Sequence, residues 1–461
     1  MAGGTWIDQN KVLPGVYINY SSAPSTLATM GERGVVCIGK ALKWGEIGKT
    51  IVINDPSECF DKLGYDQMDN ELIWLRQLLI GTNRTSGASK VLVWRLEPTG
   101  AVAATATETK SEPSASLTVT ATNVGSHGND ITVVITPDPD NSASGSKFYV
   151  QTLVSGKVVD NQVLEAAAAS VPWTGLNDNA WVKFTNKTGN VFAGNITLSN
   201  GTDGTISASS FSDFLSAMEL QSWNVIALGS DESTLKSSYA NFVKRLSNDE
   251  GKKCQAVLYN YPSADNECVI SVYPQNITDN TGHEFTAEEM VCWVAGCTAG
   301  ANVNESLTYA AHPDAVSIDP VLTQSQQIDA INAGQFAIFE EFGSIKVLQD
   351  NNTFTTFAPT KGKQFRKNRV IRTVFGVAND SYKTFSMYYI GNTNNDATGR
   401  GLLKAELINL LLRYQGAGAL QNVVETDVEV NPGQDSDAVV IEMYIQPVDS
   451  IEKIYINITI S

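Results

Sequence analysis

The feature that most constrains the fold of this chain is an α/β rhythm that breaks off and later resumes. Gly34 to Gly39 and Lys90 to Leu96 are apolar runs typical of buried strands, and two helical patterns lie between them. The rhythm stops at Pro98 and returns with a helical pattern from about Phe211, followed by the apolar run Trp223 to Leu228. The sequence therefore predicts one α/β domain that carries an inserted module of another kind.

The inserted module is rich in Thr, Ser, Ala, Gly and Asn. Alternating runs such as Leu117 to Ala121 and Ile131 to Ile135 are separated by turn clusters, which is typical of a small β-sandwich or barrel. We therefore predict an α+β multidomain fold. Its parts are an N-terminal linking arm (1–30), an α/β domain (31–97 and 206–355), an inserted β domain (98–205) and a C-terminal α+β assembly module (356–461).

The two ends of the sequence each carry a strand pattern that no neighbouring element completes. Glu452 to Ser461 has an isoleucine at every second position, the signature of a half-buried strand. A second short strand is predicted at Val12 to Tyr20. An unblunted edge strand is a template for pairing with another chain. The pattern indicates a protein that joins copies of itself.

Charge and composition exclude several classes of protein. The chain has 461 residues, 42% of them hydrophobic, and a formal net charge of −17. This charge argues against nucleic acid as a direct partner, because binding to a phosphate backbone depends on clustered cations. No apolar run approaches the roughly 20 residues of a membrane span, and no basic and apolar signal segment is recognisable at the start. We expect a protein that is made in a cytoplasm and is not inserted in a membrane.

The sequence offers no constellation of residues for catalysis. It lacks a nucleophile elbow, a phosphate-binding loop and a zinc-binding helix motif. The six cysteines are scattered and are expected to be free, buried thiols, and the three histidines lie far apart. We expect neither enzymatic activity nor a cofactor nor a metal site.

Two charged blocks near the end of the sequence have two interpretations. Lys361 to Arg372 holds six cations and no acid, whereas Glu425 to Lys453 is strongly acidic. Both blocks can be solvated surface, or they can meet across a subunit boundary and set its register. The helical pattern Gly401 to Tyr414 has an apolar face expected to pack on its own core, which leaves a polar edge for a partner.

Three segments, taken in order, resemble the tail sheath proteins of contractile-tailed phages. They are Leu13 to Ile18, then Val294 to Gly296 with Ala299 to Tyr309, and finally Gln446 to Tyr455. The resemblance covers essentially the whole chain, including the inserted β module. It is strongest to sheaths of phages and phage-tail-like bacteriocins of Gram-positive bacteria.

The resemblance implies a structural subunit that forms stacked hexameric rings around a tail tube and contracts to drive the tube through a cell envelope. Its implied partners are further copies of itself, the tail tube protein, and baseplate and tail terminator proteins, and its implied location is a virion tail or phage-tail-like particle. Terminal strands would pair with neighbouring subunits through Val16, Tyr17, Ile18, Asn19, Ile454, Tyr455, Ile456, Asn457 and Ile458. Electrostatic or tube-facing contacts are expected from Lys361, Lys363, Arg366, Lys367, Lys404, Glu406 and Arg413.

Two other classes of protein remain open at this point. A self-assembling surface-layer or adhesive protein would also explain the strands, the Thr-rich module and the acidity, although it requires an export signal. An α/β hydrolase or transferase with an appended β domain would require clustered catalytic groups.

Overall fold

A computed structural model describes residues 2–4, 15–17, 31, 33–111, 114–142 and 145–460. The helices are α1 (Cys59–Leu63), α2 (Ile73–Ile80), α3 (Ala208–Glu219), α4 (Ser233–Asn248), α5 (Ala287–Gly300), α6 (Gln324–Asn332), α7 (Asn368–Thr384) and α8 (Ala397–Gly416). The strands are β1 (Ala2–Gly4), β2 (Gly15–Tyr17), β3 (Val35–Lys40), β4 (Thr50–Ile53), β5 (Lys90–Arg95), β6 (Pro98–Thr99), β7 (Thr105–Ser111), β8 (Ser114–Ala121), β9 (Ile131–Pro137), β10 (Ser146–Val154), β11 (Lys157–Ala166), β12 (Val182–Thr188), β13 (Gly194–Thr197), β14 (Thr205–Ile206), β15 (Val225–Leu228), β16 (Gln255–Tyr259), β17 (Val269–Val272), β18 (Asn276–Asp279), β19 (Ala315–Asp319), β20 (Gln335–Phe336), β21 (Ile338–Glu341), β22 (Ser344–Val347), β23 (Val428–Pro432) and β24 (Val439–Met443).

The chain divides into two compact units. The large unit comprises residues 32–375 and 449–461, and the small unit comprises residues 1–31 and 376–448. The last segment of the chain therefore belongs to the large unit, although the small unit precedes it directly in the sequence.

Seven strands form the central sheet of the large unit, in the order β20-β17-β16-β15-β3-β5-β4. All neighbours run parallel except β4, which is antiparallel to β5 at one edge. Strands β15 and β17 are buried at every residue. Such continuous apolar strands are expected where helices cover both faces of a parallel sheet.

Alternate side chains of each central strand enter two different cores. Val36 and Ile38 belong to a buried cluster with residues of α2 and α5. Val35 and Cys37 belong to a second cluster with residues of α3 and α4. This division follows from the two-residue period of a strand. The chain has a mixed α/β multidomain fold.

Helix α5 is fixed at its start and along its length. The hydroxyl of Thr286 accepts a hydrogen bond from the Glu289 amide at 3.3 Å, and the Glu289 carboxylate accepts one from the Thr286 amide at 2.8 Å. The sequence Thr286 to Glu289 has the pattern that predicts such a capping box, and the structure confirms it. A Cβ atom on Gly296 would lie 2.1 Å from the Leu78 carbonyl oxygen, so glycine permits the close packing of α5 on α2.

Two further sheets lie between β5 and α3 in the sequence. One has the order β11-β10-β9-β13, and the other has the order β12-β8-β7. Apolar side chains of both sheets belong to one buried cluster. Strand β6 pairs antiparallel with β14 where this segment leaves and re-enters the α/β domain. The exact domain boundaries stay predictions.

Two antiparallel pairs complete the large unit beyond α5. Strand β18 pairs with β19, and β21 forms a two-residue hairpin with β22. The apolar runs Phe336 to Phe339 and Ile345 to Leu348 predict a strand pair, and the hairpin confirms it in part. Phe336 belongs instead to β20 of the central sheet.

The small unit contains α8, the end of α7 and two small sheets. Strands β23 and β24 pair antiparallel, and β1 pairs parallel with β2. The buried residues of α8 include Leu403, Leu407, Leu410, Leu411 and Tyr414, which confirms its predicted apolar face.

Candidate subunit-linking site

The C-terminal segment Lys453–Ile460, which we call the C-terminal arm, exposes the isoleucines that the sequence predicts to be half-buried. Ile454, Ile456, Ile458 and Ile460 are 75–93% exposed. Within the described part of the chain, the arm has no strand partner. A row of exposed isoleucines is costly in water, since burial of one such side chain is worth about 1.5–3 kcal/mol. The arm is therefore an apolar surface that the isolated chain leaves uncovered.

Glu452 fixes the arm at its root. Its carboxylate accepts hydrogen bonds from the Thr308 hydroxyl at 2.9 Å and from the Gln349 amide at 2.8 Å. It also forms an ion pair with the Lys367 ammonium group. Its side chain is only 10% exposed. Three donors on one carboxylate hold the arm at a fixed point on the large unit.

The environment of Glu452 favours its charged form. Burial alone would raise the pKa of the carboxyl group, but the hydrogen bonds from Lys367, Gln349 and Thr308 together lower the pKa below its ordinary value. Asp449 adds a second, longer contact to Lys367 at 3.7 Å. The root is thus a small network of charge-assisted hydrogen bonds.

A buried carboxylate behind the root connects it to the interior of the large unit. Asp350 is 1% exposed, and its amide donates to the Thr308 hydroxyl at 2.9 Å. Its carboxylate accepts from the Asn368 side-chain amide at 2.9 Å and lies 3.6 Å from the Arg372 guanidinium group. Sequence reasoning missed this network, because Asp350 to Thr353 has the composition of a surface turn. The run of buried polar residues is recognisable only when the fold brings it to the start of α7.

The basic stretch Lys361 to Arg372, a candidate for contacts across a subunit boundary, forms some of its ion pairs within the chain. Lys361 pairs with Glu267 at 2.5 Å, and Lys367 holds the arm root. Arg366 is buried, and neither its Nε nor its Nη2 has a hydrogen-bond partner in the described structure. Lys363 is exposed. The stretch is therefore not simply a solvated helix start, and its contact with an acidic block across a subunit boundary stays a prediction.

The three residues of α8 predicted as contacts lie in different surroundings. Arg413 is exposed and Lys404 is half-buried, whereas Glu406 is only 8% exposed. Glu406 lies one turn from Leu403 and Leu410, so helical spacing places it on the buried face and not on the expected polar edge.

The N-terminal strand is described only in part. Val16 and Tyr17 belong to β2, which pairs with β1 of the same chain. Ile18 and Asn19, with the rest of the predicted strand at Val12–Pro14 and at Tyr20, lie outside the described residues. Farther along, the Gly31 amide donates to the buried Asp380 carboxylate at 2.9 Å, and the Tyr414 hydroxyl donates to the same carboxylate at 2.6 Å.

The hairpin β23–β24 is an exposed antiparallel pair. In the described residues, each of its strands has the other as its only strand neighbour. Val439 and Val440 are 39% and 51% exposed, and Tyr444 just beyond β24 is 60% exposed. The hairpin therefore has free edges and apolar side chains that an additional strand could cover.

The histidines and cysteines have structural surroundings. His127 contacts Asp130 and the Gly64 carbonyl oxygen, His283 contacts Glu289, and all six cysteines are buried free thiols. Burial raises the pKa of Cys59 and of Cys268 to about 11, which disfavours the reactive thiolate. The described residues contain no cluster of three metal-binding side chains, and none of their helices is long and apolar enough to cross a membrane.

Three family models match successive parts of the chain. They describe the phage tail sheath protein beta-sandwich domain (residues 99–203), the phage tail sheath protein central domain (204–353) and the phage tail sheath C-terminal domain (360–461). The solved sheath tail protein of Desulfitobacterium hafniense is 42% identical, with a TM-score of 0.81 over 96% of this chain and 99% of that protein. The chain belongs to the phage tail sheath family. It is therefore a structural component of a tail and not an enzyme.

Two other solved structures extend this relationship. The sheath tail protein of Listeria innocua is 28% identical, with a TM-score of 0.75 over 93% of this chain and 95% of that protein. The helical sheath of the anti-feeding prophage in its contracted state shares the fold, with 13% identity and a TM-score of 0.56 over 97% of this chain and 99% of its own.

Proposed function

We propose that this sheath protein polymerises by donating its C-terminal arm to a neighbouring subunit. The observation that carries the proposal is the arm itself: an alternating apolar strand, exposed along its length and held at one end by Glu452. An anchored root keeps the donated strand attached to its own subunit. The free strand beyond the root can then reach a second subunit.

The exchanged strand supplies a strong link between subunits. Four to six backbone hydrogen bonds, at roughly 0.5–1.5 kcal/mol net each, amount to several kcal/mol before the isoleucines are buried. The link can hinge at the root without breaking. This property suits a sheath whose subunits must move and remain joined.

The hairpin β23–β24 is the proposed acceptor. It offers free strand edges and exposed Val439 and Val440, which suit the isoleucine face of an arriving arm. We propose that the N-terminal arm around Val16 to Asn19 adds a second strand to the sheet of the β23–β24 hairpin. In this scheme the terminal strands complete sheets between subunits.

We also propose that the subunits assemble into rings and that the assembled sheath contracts. Six subunits would form a ring, rings would stack around the tail tube, and rigid units would exchange one set of polar contacts for a more stable set on contraction. Partners would be the tube, baseplate and terminator proteins, with assembly in the host bacterial cytoplasm. The particle would be a phage tail or a phage-tail-like bacteriocin.

Negative-stain electron microscopy of the purified chain tests this function. We expect striated tubes or stacked rings from the full chain, and a folded but unassembled subunit when Lys453 to Ser461 is deleted. Circular dichroism of the deleted variant serves as the control for folding. Normal tubes from the deleted variant would rule out strand donation by the arm, and a strictly monomeric full chain at high concentration would contradict self-assembly.

A further inference from the structure

Two aromatic residues, one beside the arm root and one at a hairpin tip, adopt a backbone conformation that bulky side chains avoid. Phe342 has φ 53° and Tyr309 has φ 62°. The other non-glycine residues with positive φ in the described structure are all Asn, Asp or Ser. Left-handed backbone is unfavourable for large side chains and is tolerated by Asn and Asp. The contacts of each aromatic ring must therefore offset the cost of its backbone conformation.

Phe342 occupies the tip of the β21–β22 hairpin. Glu341 pairs with Ser344, and the two turn residues Phe342 and Gly343 both have positive φ, as in a type I′ turn. Asn-Gly is the favoured sequence for such a turn. The Phe342 ring is 94% exposed, so it contributes almost nothing to the core of its own subunit.

Both aromatic rings lie close to the same lysine side chain. The Lys346 ammonium lies 5.6 Å from the centre of the Phe342 ring and 5.8 Å from that of the Tyr309 ring. The same ammonium pairs with Glu341 at 2.9 Å. Tyr309 packs edge-on against Phe339 with ring centres 5.0 Å apart, and it remains 44% exposed. We call Tyr309, Phe342 and Lys346 the aromatic patch.

The aromatic patch is continuous with the root of the C-terminal arm. Tyr309 follows Thr308, whose hydroxyl binds the Glu452 carboxylate at 2.9 Å. The Tyr309 amide donates to the Val347 carbonyl oxygen at 2.8 Å, which joins the root to the hairpin. The hairpin that carries Phe342 at its tip is therefore hydrogen-bonded to the segment that anchors the arm.

We propose that the aromatic patch is a contact surface for a second copy of this chain. This inference rests on the proposed function, because the neighbour reached by the arm is what would cover the patch. Phe342 would insert as an aromatic anchor at the centre of a small contact, and Lys346 would hold its ring in place by a cation–π contact. The arm then supplies a flexible link, and the patch supplies a rigid contact beside it.

The test compares two substitutions in the full chain by pelleting polymer over a range of protein concentrations. Phe342→Asn suits the turn better but removes the ring, and Phe342→Tyr keeps both the ring and the strain. We expect Phe342→Asn to raise the threshold concentration for polymer at least tenfold, and to leave unchanged or increase the melting temperature of the unassembled subunit. Phe342→Tyr should polymerise within about twofold of the wild type.

A thiol placed at the tip gives an independent measurement. All six native cysteines are buried, so Phe342→Cys introduces the only exposed thiol of the described chain. Its reaction with a maleimide should be at least tenfold slower in polymer than in subunits kept below the threshold concentration. Equal reaction rates, or an unchanged threshold for Phe342→Asn, would overturn the assignment of the patch and leave strand donation intact. A wild-type chain that forms no polymer would contradict strand donation and this assignment together.

Discussion

At the scale of single residues, the root of the C-terminal arm depends on the charge of Glu452. Glu452→Gln keeps the shape but leaves the Lys367 ammonium, which is 20% exposed, without its main counter-ion. We expect the free energy of unfolding to fall by about 1.5–3 kcal/mol, the usual worth of a hydrogen bond to a charged group. Urea unfolding at neutral pH measures this change. Glu165→Gln, at an exposed position of β11, is the matched control and should have little effect.

The stabilisation that Glu452 provides is expected to be lost in acid. The pKa of Glu452 is lowered in the folded chain, so its stabilisation is present above the ordinary value of 4.5 and is lost as the pH falls through the lowered pKa. The difference between wild type and Glu452→Gln should therefore shrink in acid. A difference that stays constant from pH 7 to pH 3 would contradict a charged anchor.

His312 makes a separate contribution to the pH dependence of stability. Burial lowers the pKa of its imidazole from 6.5 to about 4, and its Nε2 donates to Gln77 at 3.0 Å. The unfolded chain binds this proton at a higher pH than the folded chain does, so stability falls as the pH drops from 6.5 towards 4. The loss attributable to His312 is about 2 kcal/mol between pH 7 and pH 5. His312→Gln should show a correspondingly flatter profile in urea unfolding, and an identical profile would contradict it.

At the scale of elements, we expect substitutions on the two faces of the C-terminal arm to differ in their effect on polymer formation. Ile456 and Asn457 are both exposed in the isolated subunit, so Ile456→Lys and Asn457→Lys should each change the free energy of unfolding by less than about 0.5 kcal/mol. Only Ile456→Lys should suppress polymer, because the isoleucine face is the one that strand donation, as proposed, would bury. Pelleting and electron microscopy measure this difference. Equal suppression by both would argue against a half-buried donated strand.

The sequence predicted those elements whose patterns are complete within a short window. The structure confirms the apolar runs Gly34 to Gly39, Lys90 to Leu96 and Trp223 to Leu228 as strands β3, β5 and β15. It also confirms the capping box at Thr286, whose pattern is complete within four residues. The root of the arm was not predictable, since Thr308, Gln349, Lys367 and Glu452 are far apart in sequence and meet only in the fold. Glu406 was assigned to the wrong face because its charge outweighed its helical position. The left-handed backbone of Phe342 was not predicted, because the turn lacks the Asn-Gly sequence that is favoured there.

At the scale of the whole molecule, the chain combines a covered core with an uncovered C-terminal arm and an uncovered hairpin. The central sheet is buried on both faces, whereas the arm isoleucines and the β23–β24 hairpin are exposed in the isolated chain. A net charge of −17 keeps such a subunit soluble until its apolar surfaces are covered. This distribution suits a protein that is complete only as a polymer.

The most direct test of strand donation is a cryo-electron microscopy reconstruction of the polymer in which each chain is traced to its end. We predict that Ile454 to Ile460 of one subunit form a strand against the β23–β24 hairpin of another, with their isoleucines buried. An arm that pairs with the hairpin of its own subunit, or that remains free in the assembled tube, would contradict the account.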